Sequence, residues 1–142
     1  MNDPLDLPSL VQAAGDAIIA ADTDGKIRLW NPAAERIFGF TAAEALGHSL
    51  ALIIPERWRH RHWEGYQRVM RTSQTRYGAE VLRVPALHKD GRALSIAFTV
   101  ALLQAGDGGI QAIAAIVRNE TARWEEERAL RRRLTELEAR SR

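Results

Sequence analysis

The chain contains no cysteine. That excludes a disulfide framework, a thiolate metal site, a thiol nucleophile and any chromophore held through a cysteine adduct. Lysine is scarce as well: only two of the 20 basic residues are lysine, the other 18 are arginine, and 18 acids leave a formal net charge of +2. So small an imbalance, without a concentrated basic tail, does not supply the one-sided cationic face that a phosphate backbone selects, and direct binding of nucleic acid is not expected. No stretch approaches the roughly 18 uninterrupted apolar residues of a membrane span. The opening MNDPLDLPSL carries two aspartates and no base ahead of any apolar segment, the reverse of a secretory signal. A cytoplasmic location without membrane insertion is the expectation. At 142 residues and 46% hydrophobic content, the length suits one core with an appendage rather than two cores.

The pattern of caps and turns sets the order of elements. Residues 7–14, LPSLVQAA, predict a short helix stopped by Gly15. AIIAA at 17–21 and KIRLW at 26–30 flank a DTDG turn and predict a hairpin. Asn31 before Pro32 supplies a cap and a preset first turn for a helix over 33–38, ended by Gly39. Thr41 with Glu44 forms a capping box, so several short helices crowd residues 31–54. A longer helix is predicted over 56–73. At 100° per residue, Trp58, His62, Trp63, Tyr66, Val69 and Met70 fall in one arc, and Arg59 intrudes on it.

Strands return after Gly78. Residues 79–88 contain Pro85, which cannot donate to a ladder and predicts an edge strand or a bulge. Residues 93–102 alternate, with Leu94, Ile96, Phe98, Val100 and Leu102 on one face and small residues, Ala93, Ala97 and Ala101 among them, on the other. Residues 110–117 are apolar on both faces, as 17–21 are, which predicts central strands. From 120 onward the chain is rich in Glu and Arg without Gly or Pro, with Leu130, Leu134 and Leu137 at helical spacing. That predicts a projecting helix with a coiled-coil seam about two heptads long.

This order, with AIIAADTDGKIRLWNPAAERIFGFTAAEALGHSLALIIP ahead of LHKDGRALSIAFTV and IQAIAAIVRNETARWEEE, resembles a PAS domain over roughly residues 12–124. The resemblance implies an α+β fold: a five-stranded antiparallel sheet, with short helices and one longer helix closing over one face and a C-terminal helix projecting from it. The organisation expected is an N-terminal cap helix over 1–15, a sensory domain over 16–119 and a signalling helix over 120–142. It also implies a sensor class rather than an enzyme, with a pocket that holds haem, a flavin, a small metabolite or nothing, and an exit helix that carries the signal to a kinase, a cyclase-type enzyme or a transcription regulator. One departure lies at the exit. PAS domains often end in an Asp-x-Thr turn, and here Asn119-Glu120-Thr121 stands instead, so the cap is kept and an aspartate's salt bridge is lost.

The residues expected to line the pocket are Trp58, His62, Tyr66, Val69, Leu94, Ile96 and Phe98. His62 carries the sharpest reading, because haem-holding PAS oxygen sensors place their iron-ligating histidine in a helix segment resembling Pro55-Glu-Arg-Trp-Arg-His-Arg-His62. The plainer reading is a core histidine bonded to a backbone carbonyl. Those sensors also carry an arginine that steadies oxygen, and Arg76-Tyr77-Gly78-Ala79-Glu80-Val81 has none at the matching place. His60, about 200° from His62, cannot share its face, and His48 and His88 read as solvated loop residues. Ser95 faces outward while His62 faces in, so no nucleophile–base pair assembles. The small outer face of the sheet predicts cover by the N-terminal helix together with a second subunit, hence a homodimer. A module that dimerises around a packed core without a ligand stays open as an alternative.

Overall fold

A computed structural model describes residues 4–72 and 80–141. The elements run α1 (Leu7–Ala13), β1 (Ala17–Asp22), β2 (Ile27–Trp30), α2 (Pro32–Phe38), α3 (Ala42–Ala45), a 3₁₀ turn (Leu50–Ile53), α4 (Glu56–Thr72), β3 (Leu82–Leu87), β4 (Ala93–Gln104), β5 (Ile110–Asn119) and α5 (Thr121–Arg140). The strands form one antiparallel sheet in the order β2-β1-β5-β4-β3. Pro85 thus sits on an edge strand, where its missing N–H costs no ladder bond. β5 lies in the middle, as its two apolar faces require. The predicted start of β3 at Ala79, the end of the long helix at Ser73 and most of the 76–81 segment lie outside the described residues.

The pairing register sorts the side chains into two faces. Ile19, Trp30, Leu94, Ile96 and Val117 point to one side, where they meet Ala33, Ala34 and Phe38 of α2, Ala45 of α3 and Ile53 of the 3₁₀ turn. The core therefore lies between the sheet and the short helices. The long helix α4 was expected to close over this face together with the short helices, and it contributes one buried residue, Tyr66. Two residues of its predicted inward arc, Trp63 and Tyr66, pack against the turn between β1 and β2. Trp63 lies over Gly25, whose φ of 78° and lack of a Cβ make room for the indole. Arg59, the exception in that arc, donates from Nε to the Ile54 carbonyl at 3.0 Å and so satisfies the end of the 3₁₀ turn.

Caps appear where the sequence placed them. Thr41 and Glu44 exchange backbone and side-chain bonds in a capping box, and Gly39 ends α2 at φ 82°. His88 is not the solvated loop residue expected. Its side chain is mostly buried, Nδ1 accepts from the Asp90 amide at 3.1 Å, and the ring lies where a Cβ at Gly39 would sit. Lys89 extends the same join, its amide donating to the Phe38 carbonyl at 2.8 Å and its ammonium pairing with Glu44.

Asn31 is fully buried. Its Oδ1 accepts from the Ile18 amide at 2.9 Å and the Ala34 amide at 3.1 Å, and its Nδ2 donates to the Val11 and Asp16 carbonyls at 2.9 and 3.1 Å. One side chain thus caps α2 and ties it to β1 and the end of α1. Asn31→Ala leaves an amide and two carbonyls without partners besides removing the cap, a loss of about 2–4 kcal/mol. Chemical denaturation should show that fall with the slope unchanged; a loss below about 1 kcal/mol would mean that water replaces the amide.

Candidate functional site

The charged and aromatic residues expected to carry chemistry separate on α4. His60 points to solvent and lies 3.0 Å from Glu64, whereas His62 turns in. The His62 ring meets Trp63 edge-on at 4.7 Å and Tyr66 at 5.7 Å, and Trp63 meets Tyr66 edge-on at 5.3 Å. The Tyr66 hydroxyl donates to the Asp22 carbonyl and anchors this cluster to the β1–β2 turn. Burial, helped by the negative charges of Asp22 and Asp24, pushes the Tyr66 phenol up to about 12, so the hydroxyl remains a donor. Burial alone pulls His62 down to about 4, which leaves a neutral imidazole in ordinary conditions.

Two buried polar atoms on α4, Trp58 Nε1 and His62 Nδ1, have no hydrogen-bond partner among the described residues. They belong to residues four apart, stacked on one face of the helix, and each unpaired group costs on the order of 1–3 kcal/mol. An indole N–H that can only donate and an imidazole nitrogen that donates or accepts according to its tautomer thus stand on one side of α4. The Trp58 N–H can meet a small molecule or a water that offers an acceptor.

The other expected pocket residues divide between settings. Leu94 and Ile96 are buried in the core, Phe98 packs against it, and Val69 is partly covered. Trp58 and Leu94 meet at a groove of about 680 Å³ that Ser95, Thr121 and Trp124 also border. A second hollow, about 360 Å³, is lined by Gln12, Trp30 and Glu35 among others. Neither cavity touches His62, Ile96 or Phe98.

The haem implied by the resemblance does not fit these residues. An iron-bound imidazole passes its other N–H to a carbonyl or carboxylate, and His62 Nδ1 has no such acceptor. The 76–81 stretch, in which the sequence places no oxygen-steadying arginine, falls largely outside the described residues.

The exit from the sheet is closely tied, and sequence reading caught only part of it. The Ser95 amide donates to Thr121 Oγ1 at 3.0 Å and the Glu120 amide donates to the Ser95 carbonyl at 2.8 Å, which fastens the start of α5 to β4. Asn119 Oδ1 accepts from the Thr121 amide at 3.0 Å and from its hydroxyl at 2.6 Å. An ion pair is present at this junction after all, supplied by Glu120 to Arg83 at 3.5 Å rather than by residue 119.

Because the folded chain holds His62 neutral, an unfolded chain takes up a proton that the native one refuses between about pH 6.5 and 4. The stabilisation is complete above pH 6.5 and is lost as pH falls through that window, to the extent of about 2–3 kcal/mol. Thermal unfolding of the wild type should drop more steeply there than that of His62→Gln; parallel curves would place the imidazole in water.

Comparison with known proteins agrees with this geometry. Residues 5–119 match the family described as the PAS fold. The chain is 34% identical over 125 residues to an uncharacterised protein of Azorhizobium caulinodans, covering 87% of this chain and 17% of that protein. It is 31% identical over 100 residues to the sensor protein FixL of Bradyrhizobium diazoefficiens, covering 70% of this chain and 20% of FixL. It thus spans about a fifth of the length of these curated relatives. A PAS domain from Colwellia psychrerythraea superposes with a TM-score of 0.71 at 19% identity, over 82% of this chain and 95% of that one. The matched residues and the shared architecture place this chain in the PAS family.

Proposed function

We propose that this PAS domain is a sensory module, without catalytic activity of its own, that forms a homodimer and passes the occupancy of a small polar ligand at α4 to an effector through α5. The groove carries this reading. It is bordered on one side by Trp58 and Leu94 and on the other by Ser95, Thr121 and Trp124, so a change at α4 is felt where the exit helix is fastened to the sheet. The unpartnered Trp58 Nε1 on the side chain that borders the groove supports a ligand offering an oxygen acceptor, in place of a haem or a flavin.

The homodimer rests on uncovered apolar surface. α1 is tied at Val11 to Asn31 and leaves Leu7 and Leu10 exposed rather than lying over the outer sheet face. On that face Ile116 is 47% exposed in the single chain, with Leu103 also open. A second copy would cover both sets at once. The effector is a kinase, a cyclase-type enzyme or a transcription regulator, reached either in trans or as another part of a longer protein such as the relatives.

Native mass spectrometry of freshly purified protein, with an absorption spectrum, tests the ligand. A small adduct without a Soret or flavin band is expected, with lower occupancy in Trp58→Phe. A bare chain would favour a dimerisation module with a filled core, and a Soret band lost in His62→Ala would restore haem. The relay has its own measurement. Thr121→Val removes the acceptor of the Ser95 amide and should speed hydrogen exchange at Ser95 and in the first turn of α5, with about 1 kcal/mol less stability and unchanged ligand occupancy. Unchanged exchange would detach the exit helix from the scheme.

A further inference from the structure

Three arginines and three glutamates border the groove between the start of α4, the β3 edge and the start of α5. Four of these six side chains neutralise one another in place. Arg83 pairs with Glu120 at 3.5 Å, and Arg123 pairs with Glu127 at 3.4 Å. The other two, Arg57 and Glu125, have no ion pair among the described residues. The groove therefore keeps one unmatched charge of each sign, the cation on α4 and the anion on α5.

Each unmatched charge is accompanied by an indole. The Arg57 guanidinium lies 6.0 Å from the centre of the Trp58 ring, the same indole whose N–H has no partner. Next to Glu125 in the chain is Trp124, with the Arg128 guanidinium over its ring at 5.2 Å. Both indoles border the groove, and they form no ring contact with each other. Val84, Pro85 and Leu94 add to its apolar lining.

An exposed charge by itself holds an ion weakly, because water competes for it. A simple anion would also meet the field of Glu125, and a simple cation that of Arg57. A molecule carrying both charges on one body avoids both penalties, and its second contact forms without a further loss of translational freedom. We infer that the groove binds a small zwitterion with a flat apolar body, in chemical class an aromatic amino acid. Its carboxylate is held by Arg57 and the Trp58 N–H, its ammonium by Glu125, and its ring by the indoles. This deepens the sensory reading and rests on it: the carboxylate is the acceptor that Trp58 Nε1 lacks. It also bears on the relay, because a zwitterion bridges α4 and α5 whereas a ligand of one charge engages only one of them.

Isothermal titration of the dialysed chain with phenylalanine, phenylacetate and 2-phenylethylamine tests the two charges separately, since the last two molecules each lack one. Phenylalanine should bind at least about tenfold more tightly than either, and should displace the adduct seen by native mass spectrometry. Arg57→Gln should bring phenylalanine down to the level of the amine, and Glu125→Gln down to that of phenylacetate. Both side chains are exposed, so these variants keep the fold. Glu126→Gln, one position further along and outside the groove, should leave all three affinities unchanged. Phenylacetate or the amine binding as tightly as phenylalanine, indifference to both substitutions, or no binding of phenylalanine would overturn the zwitterion. The native mass spectrum then judges the sensory reading on its own: a retained adduct leaves a sensor of different ligand chemistry, and a bare chain that binds none of the three overturns both.

Discussion

The fold turns on the burial of one amide. Asn31 stands where three pieces of chain meet, and its side chain uses two donors and two acceptor sites to serve four backbone groups. A buried polar group is tolerated only when it is satisfied, and once satisfied it specifies a single arrangement. Here it fixes where α2 starts relative to β1. Pro32 follows in the first turn without an N–H to lose. With α2 fixed, Phe38 reaches Trp30 at 5.5 Å, the Trp30 indole finds the Phe40 carbonyl at 2.9 Å, and the core closes over the sheet.

Local signals in the sequence were legible because they act over three or four residues. The Asp-Gly turns, the Thr41–Glu44 box, the Pro85 edge and the alternation of β4 each rest on backbone rules that hold wherever the chain goes. Asn31 was read as a cap, which it is, but its reach to Val11 and Asp16 spans 20 and 15 residues and leaves no mark on any window. His88 was missed for the same reason: what buries it is a glycine 49 positions earlier, whose missing side chain reads locally as a helix stop. The arc on α4 was correct as periodicity and misleading as placement. Periodicity says which side is covered and says nothing about which element covers it. The site itself was partly legible: His62 and Tyr66 come together, and Leu94 and Ile96 lie in the core, but no sequence rule singles out a nitrogen that lacks a partner.

The exit shows how a departure from a family pattern can be absorbed by its neighbours. Asn119 cannot carry a charge, yet its oxygen still receives both donors of Thr121. The charge moves one residue on, to Glu120, which meets Arg83 on the edge strand. That pair is half exposed and worth little as an isolated contact. Its value is geometric: with the Ser95 bonds it holds the first turn of α5 to both β3 and β4. The start of the helix thus follows the edge of the sheet, which also borders the groove at Trp58.

Opposite demands meet along α5. A relay helix must be coupled to the body at one end and to its output at the other, without being so rigid that the body cannot move it. The distribution of residues answers both needs. Hydrogen bonds hold the first turn, leucines serve the far turns, and between them Arg123 and Glu127 satisfy each other within one helix rather than across two. Apolar contact there would weld the coiled-coil seam to the junction and make a dimer indifferent to what happens at Trp58. In the proposed dimer a polar neck would cost association strength and leave the helices free to turn or part near the sheet. The proposed ligand would then need to shift only a few side chains at one edge of the sheet.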